Sequence, residues 1–367
     1  MQIKNKMIKK MDFTLVAVIL IICVLGVFMV GQATGWSESH IRTQVASVLI
    51  GFAAIIVILF IDYNQFAKFY VPIYILSNLL LVAVLVFGTG DEQWGARRWI
   101  RIGGFGFQPS DFVKIGMIIC IAKMLSDHKE NLNKPVTILK ILVVAAIPMA
   151  LVARQPDLGT TMAFVIFTFG MFFVAGLKYK YIIYTALGAI VSAPLIWLGL
   201  EGYQKDRILI FLNPELDPMG RGYQIIQSKI TVGSGQFFGL WVTDIERYFH
   251  EYGFLPEKHT DFIFSITAQI LGFAGVFLLL ICYMILLIRC IDVAREAKDD
   301  FGAYMATGVT FMLAFHIFAN IAMTIGLMPV TGKPLPFVSY GGTFMLSNMI
   351  AIGLVLNVNI RRYKINF

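Results

Sequence analysis

Charge is what this chain has least of: 14% of its residues are Asp, Glu, Lys or Arg, against 58% hydrophobic, and the mean hydropathy is +0.77. A soluble globular domain cannot cover its surface with so little charge, so that class is excluded. Cysteine is nearly as scarce. Cys23, Cys120, Cys282 and Cys290 all fall in apolar runs or at the end of one, which leaves no disulfide framework and no thiol metal site to expect. Low-complexity tracts and alignable internal repeats are missing, and no His or Cys spacing fits a zinc signature.

What is present is a series of apolar runs of helical length, at 13–30, 45–61, 70–87, 109–125, 138–153, 158–177, 181–200, 262–288, 305–327 and 338–358. They predict an all-α polytopic membrane protein of about ten transmembrane helices, in one domain over 1–367. The start MQIKNKMIKK has the charge of a signal peptide. The run behind it is long and lacks a small-residue exit, so it reads as a retained first span.

An even number of spans puts both termini on one side. Short loops on that side carry Lys4, Lys6, Lys9, Lys10, Lys68, Lys129, Lys134, Lys178, Lys180, Arg289, Arg295, Lys298, Arg361, Arg362 and Lys364. The opposite short loops carry only Arg42, Arg97, Arg98, Arg101, Arg154 and Lys333. Positive loops stay in the cytoplasm, so the reading is N-in and C-in, with a large extracellular loop of about 201–261 between helices 7 and 8. The net charge of +8 reflects this topology and gives no argument for nucleic acid.

Three outer stretches are long: 87–108, 201–261 and 328–342. They are expected to meet over one pocket. A sixty-residue connection without structure is improbable, so the second should carry helical pieces, and GYQIIQSKITVGSGQFFG reads as a membrane-edge helix ending in a glycine turn.

Five constellations could carry chemistry. In QPSDFVKIG, Pro109 suits a helix start and Asp111 and Lys114 share a face at i and i+3; either charge alone would be costly in lipid, so they pair structurally or line a polar cavity. ARRWIRIGG places Arg97, Arg98 and Arg101 beside a tryptophan, either as phosphate ligands or as an interfacial loop on bulk lipid. In RQPDLGT, Asp157 can cap the next helix. In GFLPEKHTDFIFS, Thr260 or Asp261 can cap the following span, yet Glu257, Lys258 and His259 crowd the same stretch more than one cap requires. The Pro- and Gly-rich GLMPVTGKPLPFVSYGG reads as a cavity-lining loop or an external turn.

In order and over both halves of the chain, QPSDFVKIG, QPDLGT, FLNPELDPMGRGYQIIQSKI, GFLPEKHTDFIF and MPVTGKPLPFVSYGG resemble the SEDS family (shape, elongation, division and sporulation) of bacterial cell-wall polymerases. The details look more like its elongation branch, RodA, than its division branch, FtsW. The resemblance implies a membrane-bound inverting peptidoglycan glycosyltransferase serving cell shape and division. It would polymerise lipid II onto undecaprenyl-diphosphate-linked glycan beside a class B penicillin-binding protein, the transpeptidase, among membrane lipids. Asp261 falls on the family's essential Asp, and Asp111 with Lys114 matches its acidic–Lys pair. Two departures stand out: QFFGLWVTDIERYFHEY within the atypical 236–252 segment, and Gln269 and Ile270 where acidic residues are common.

The chemistry is coherent without the name. An alcohol leaving group needs an acid, but a diphosphate departs as an anion, so one base for the acceptor hydroxyl is enough. Asp261 is the candidate base. Arg97, Arg98, Arg101, Arg207, Lys229 and Lys333, with Glu257 and His259, are the candidate substrate-binding residues. No cofactor is fixed by the sequence; Mg or Mn bridging a carboxylate and a diphosphate is the candidate. Two other classes stay open: a lipid-precursor flippase or transporter, whose polar residues would reach the cytoplasmic side, and a non-catalytic scaffold for the transpeptidase.

Overall fold

The computed structural model describes residues 11–91, 96–102, 105–199, 202–240 and 255–362. The apolar runs form helices: α1 (Phe13–Ala33), α2 (Glu38–Phe60), the short α3 (Tyr63–Lys68), α4 (Tyr70–Phe87), α5 (Pro109–Asp127), α6 (Pro135–Ala153), α7 (Leu158–Val174) and α8 (Tyr179–Gly199). In the long outer stretch lie α9 (Gly202–Leu212) and α10 (Arg221–Ser234), and then follow α11 (Ile263–Arg295), α12 (Asp300–Thr324) and α13 (Gly342–Arg361). Among the described residues seven helices are long and apolar enough to cross a membrane: α1, α2, α4, α6, α11, α12 and α13. α5, α7 and α8 occupy the other three apolar runs.

Hydropathy marks which segments are apolar but not which are central. α12 and α13 are the interior, with 78% and 83% of their apolar windows buried, whereas α4 is 17% buried. α12 packs on α5, α7, α11 and α13, and α13 lies along α2. The outer helices expose large apolar side chains such as Leu49, Val57, Leu79, Val86 and Leu139. That belt needs a hydrocarbon solvent, so the chain is a multi-pass membrane protein.

Two features depart from the sequence reading. A small antiparallel sheet, β1 (Thr89–Asp91), β2 (Ala96–Ile102) and β3 (Phe105–Phe107), occupies the loop before α5, with Trp99 opposite Thr89 and Ile100 opposite Phe107. Alternation in RRWIRI favours a strand, but a hydropathy scan tuned to helices passes over it. The second departure is inside α11, where Gly272 has φ +64° and ψ −171° and divides the helix. The chain just after α10 repairs the break: Leu240 N–H donates to Gln269 O at 2.9 Å, and Phe273 and Ala274 N–H donate to Gln236 O and Phe237 O, each at 2.9 Å. Broken backbone survives at such depth only with partners of this kind. The 236–240 part of the atypical segment is therefore docked on α11; its remainder from 241 lies outside the described residues.

Candidate active site

The three long loops do meet over one cavity, of about 810 Å³, lined by residues of α2, β2, β3, α5, the 257–261 turn, the 332–341 loop and α13. Arg98, Gln108, Asp111, Glu257, Asp261, Lys333 and Tyr340 all line it. Residues distant in the sequence thus share one chamber.

α5 starts at Pro109, as its lack of an N–H and fixed φ favour. That register puts Asp111 and Lys114 on the inner face, 3% and 1% exposed, with Lys114 Nζ donating to Asp111 Oδ1 at 3.0 Å. A second partner escaped the sequence reading: His316 of α12, whose Nε2 lies 3.2 Å from Lys114 Nζ. Lysine can only donate, so Nε2 accepts and the ring proton sits on Nδ1. The ammonium also lies 5.1 Å from the Phe344 ring centre. Lys114 is thereby satisfied internally, while Asp111 Oδ2 has no hydrogen-bond partner among the described residues. The carboxylate, not the lysine, is the member of the pair that the cavity sees.

Asp157 caps α7, accepting from Thr160 N at 3.0 Å and Thr160 Oγ1 at 2.7 Å. It does more than cap: Lys333 Nζ reaches its two oxygens at 2.8 and 2.9 Å, and both residues are buried. Burial alone would raise the Asp157 carboxyl, but Lys333 and Arg98 outweigh it and hold the group well below the usual carboxylate range. Lys333 lines the cavity with its charge already matched. Arg98 differs. Its guanidinium donates to the Gln155 and Pro156 carbonyls, neutral acceptors that fix the side chain without cancelling its charge, and no carboxylate pairs with it among the described residues.

Asp261 does not cap α11, which corrects the expectation for Thr260 and Asp261. The N-cap is Phe262, without a side-chain cap bond. The reason is a tight turn over 257–262, in which Thr260 and Phe262 N–H both donate to Glu257 O, at 3.2 and 3.1 Å, and Glu257 takes a left-handed φ of +52°. The half-buried Asp261 carboxylate has no hydrogen-bond or ion-pair partner among the described residues. Gly332 faces it so closely that a Cβ there would lie 3.3 Å from Oδ2, at a φ of +63° that already favours glycine. Burial first, and then the charge of Glu257, push the Asp261 carboxyl up to about 6 against the pull of Lys333 and Arg98. A carboxylate of that basicity, open to a chamber, is equipped to take a proton.

The other candidates separate. His259 lies behind the cavity, its ring 5.3 Å from His40 and 5.5 Å from Tyr340, with burial lowering its pKa. Arg101 is exposed and outside the lining, and the Arg97 side chain lies outside the described residues. Arg207 on α9 and Lys229 on α10 are not brought to the chamber. Among the described residues no three His, Cys, Asp or Glu side chains converge as a metal site. His316 and Asn320 were missed, although a polar side chain within an apolar run is itself a signal.

The fold and chamber define a class: a multi-pass membrane protein with a cavity of about 810 Å³ whose lining includes Asp261 and Arg98, neither of them in an ion pair among the described residues. The FtsW/RodA/SpoVE family model, described as "Cell cycle protein", matches residues 9–364, and the chain belongs to that family. It is 34% identical over 355 residues to the peptidoglycan glycosyltransferase MrdB of Escherichia coli K12, covering 96% of this chain and 94% of the relative. It is 35% identical over 364 residues to stage V sporulation protein E of Bacillus subtilis 168, covering 95% and 96%. Among solved structures it resembles a chain of a peptidoglycan synthase complex, with a TM-score of 0.83 and 29% identity over 96% of this chain and 99% of that one. It also resembles Thermus thermophilus RodA, with a TM-score of 0.73 and 26% identity over 96% and 98%.

Proposed function

We propose that this protein is a peptidoglycan glycosyltransferase that polymerises lipid II, with Asp261 as the general base. The observation that carries the mechanism is the Asp261 carboxylate: raised in basicity, without a partner among the described residues, and facing the same chamber as Arg98. In one displacement the acceptor hydroxyl passes its proton to Asp261 as its oxygen bonds to the donor sugar's anomeric carbon. The bond from that carbon to the lipid diphosphate breaks with its electron pair, and the configuration inverts. Arg98 is the cation best placed to hold the departing diphosphate, because Lys333 is already neutralised by Asp157. The buried carboxylate of Asp111 is suited to accept from a substrate hydroxyl or amide N–H.

The described residues do not form a closed metal cage, and no step is routed through a metal. Running the polymerisation assay below with and without EDTA tests Mg or Mn carried by the diphosphate, a loss with EDTA that added Mg or Mn restores being the outcome that requires the ion. The chamber end is extracellular in this reading, with both termini cytoplasmic, ten spans and the 201–261 segment outside. In a background without native cysteines, a cysteine at Asp217 should label with an impermeant reagent in intact cells. Labelling only after lysis would reverse the topology. The likeness to a chain of a peptidoglycan synthase complex supports a penicillin-binding protein as partner; that the partner is a class B transpeptidase and the role cell elongation belongs to this reading.

The decisive experiment is Asp261→Asn in the purified protein, reconstituted with lipid II and a candidate transpeptidase. Asn matches Asp in size, and the Asp261 side chain makes no cap to lose. Expression, melting and transpeptidase binding should persist, while polymerisation falls by about 10²- to 10⁴-fold. Polymer of normal rate and length from Asp261→Asn would refute the base assignment.

A further inference from the structure

The Asp261 carboxylate has no hydrogen-bond partner among the described residues, so its aim depends on the backbone that carries it, and that backbone is gripped from outside its own helix. Three consecutive carbonyls are held: His259 O accepts from Tyr340 N at 2.9 Å, Thr260 O from Ser339 Oγ at 2.7 Å, and Asp261 O from Asn320 Nδ2 at 2.8 Å. Asn320 stands apart from the other two donors. It lies on α12, fully buried, and its Nδ2 also donates to Lys333 O at 2.7 Å. One amide thus ties the turn bearing Asp261 to the loop bearing Lys333 and Gly332, and fixes both to the central helix of the fold.

The orientation of this amide follows from its surroundings. Reversing it would set its oxygen against two carbonyl oxygens, so both N–H bonds must face them. Asn320 Oδ1 is consequently left buried without a partner. An unmatched buried acceptor is destabilising, and here it accompanies an amide that uses both donors on the loops.

We infer that Asn320 is a positioning residue for the glycosyl transfer. It holds Asp261 at the reach and angle needed to take the acceptor's proton, and it keeps the Lys333 loop in register with that carboxylate. This inference rests on the reading of Asp261 as the base. Misplacing a reacting group by about an ångström can cost on the order of 10²-fold in rate without disturbing ground-state binding.

The test uses the full-length protein with Asn320→Ser and Asn320→Asp. A serine hydroxyl on a helix can bond back to the carbonyl four residues earlier, here His316, so Asn320→Ser removes the tie while matching its own hydroxyl, and only the Asp261 and Lys333 carbonyls lose a donor. Asn320→Asp keeps the size but turns acceptors toward the two carbonyls. Asn320→Ser should stay folded but melt somewhat below the parent, and Asn320→Asp lower still because it buries a carboxylate against two carbonyls. Per folded molecule, both should show kcat for lipid II polymerisation lowered by about 10- to 100-fold, with KM little changed. Added to Asp261→Asn, Asn320→Ser should lower the residual rate no further, because it acts through that carboxylate.

Unchanged kcat in Asn320→Ser overturns the inference. So does a loss confined to KM, or one that multiplies with that of Asp261→Asn. Failure of Asn320→Ser to fold, or activity that merely follows the folded fraction, marks Asn320 as structural and also overturns it. Full activity in Asp261→Asn alone would instead remove the base assignment, a separate failure.

Discussion

Helix α5 carries the same chemistry twice, once at each end. Asp111 and Lys114 near its start are 3% and 1% exposed, whereas Lys123 and Asp127 near its finish, 2.5 Å apart, are 29% and 41% exposed. The first pair is enclosed by α12 and α13 beneath the chamber; the second reaches solvent at the end where the chain's basic loops gather. The contrast repeats across the molecule. Asp157 and Lys333 form a second buried pair at the cavity, while Lys129 with Asp300 forms a second exposed one at the opposite end. Burial, not the identity of the residues, decides what such a pair contributes, because water and rotamer entropy cancel most of the attraction in the exposed case.

The contrast is broken most severely at Asp157. Asp157→Ala removes a helix cap and leaves the Lys333 ammonium buried without its carboxylate, for an expected cost of about 3–5 kcal/mol from the charge and about 1 kcal/mol from the cap. Thermal melting in detergent should show the largest fall of any substitution here, with Lys333→Met close behind. A drop no greater than that of a surface mutant would show that water reaches the pair.

Lys114→Met comes next, at about 3–5 kcal/mol, since it strands Asp111 and leaves the His316 acceptor unmatched. The double variant Asp111→Asn with Lys114→Met should melt higher than Lys114→Met alone. Additive losses would mean that the two side chains do not interact.

Acidification should separate activity from stability. The folded pKa of Asp157 is depressed, so its contribution is complete above the unfolded value of about 3.9 and is lost only as pH falls through the lower folded value. For Asp261 the folded value is raised to about 6, so the folded protein binds the extra proton between about 4 and 6, and this group's effect on stability improves as pH falls through that window. Polymerisation should therefore drop as pH falls through about 6 while the melting temperature does not. Activity and melting temperature falling together would contradict the assignment.

The smallest effect is expected at the far end of α5: Lys123→Ala should cost about 0.3–0.5 kcal/mol, and less at high salt. A loss comparable to that of Lys114→Met would erase the comparison.

The sequence by itself determined the helical membrane architecture, because lipid demands long apolar runs with internally bonded backbone. It also placed the start of α5 at Pro109, the α7 cap at Asp157 and the pairing of Asp111 with Lys114. These are local matters, set within one run or over three to four residues. Motif resemblance singled out Asp261 and the loops that form its chamber. Only the tertiary structure decided that Asp261 is not a cap, that Lys333 is neutralised by Asp157 while Arg98 keeps its charge, and that Arg207 and Lys229 stand away from the cavity. It alone brought His316 to Lys114 and stretched Asn320 between two loops. Apart from the local 257–262 turn and the Asn320–Lys333 bond, the contacts behind those facts join residues 57 to 202 positions apart. Proximity of that kind arises from how helices pack, and helix packing is not written in the periodicity of any single run.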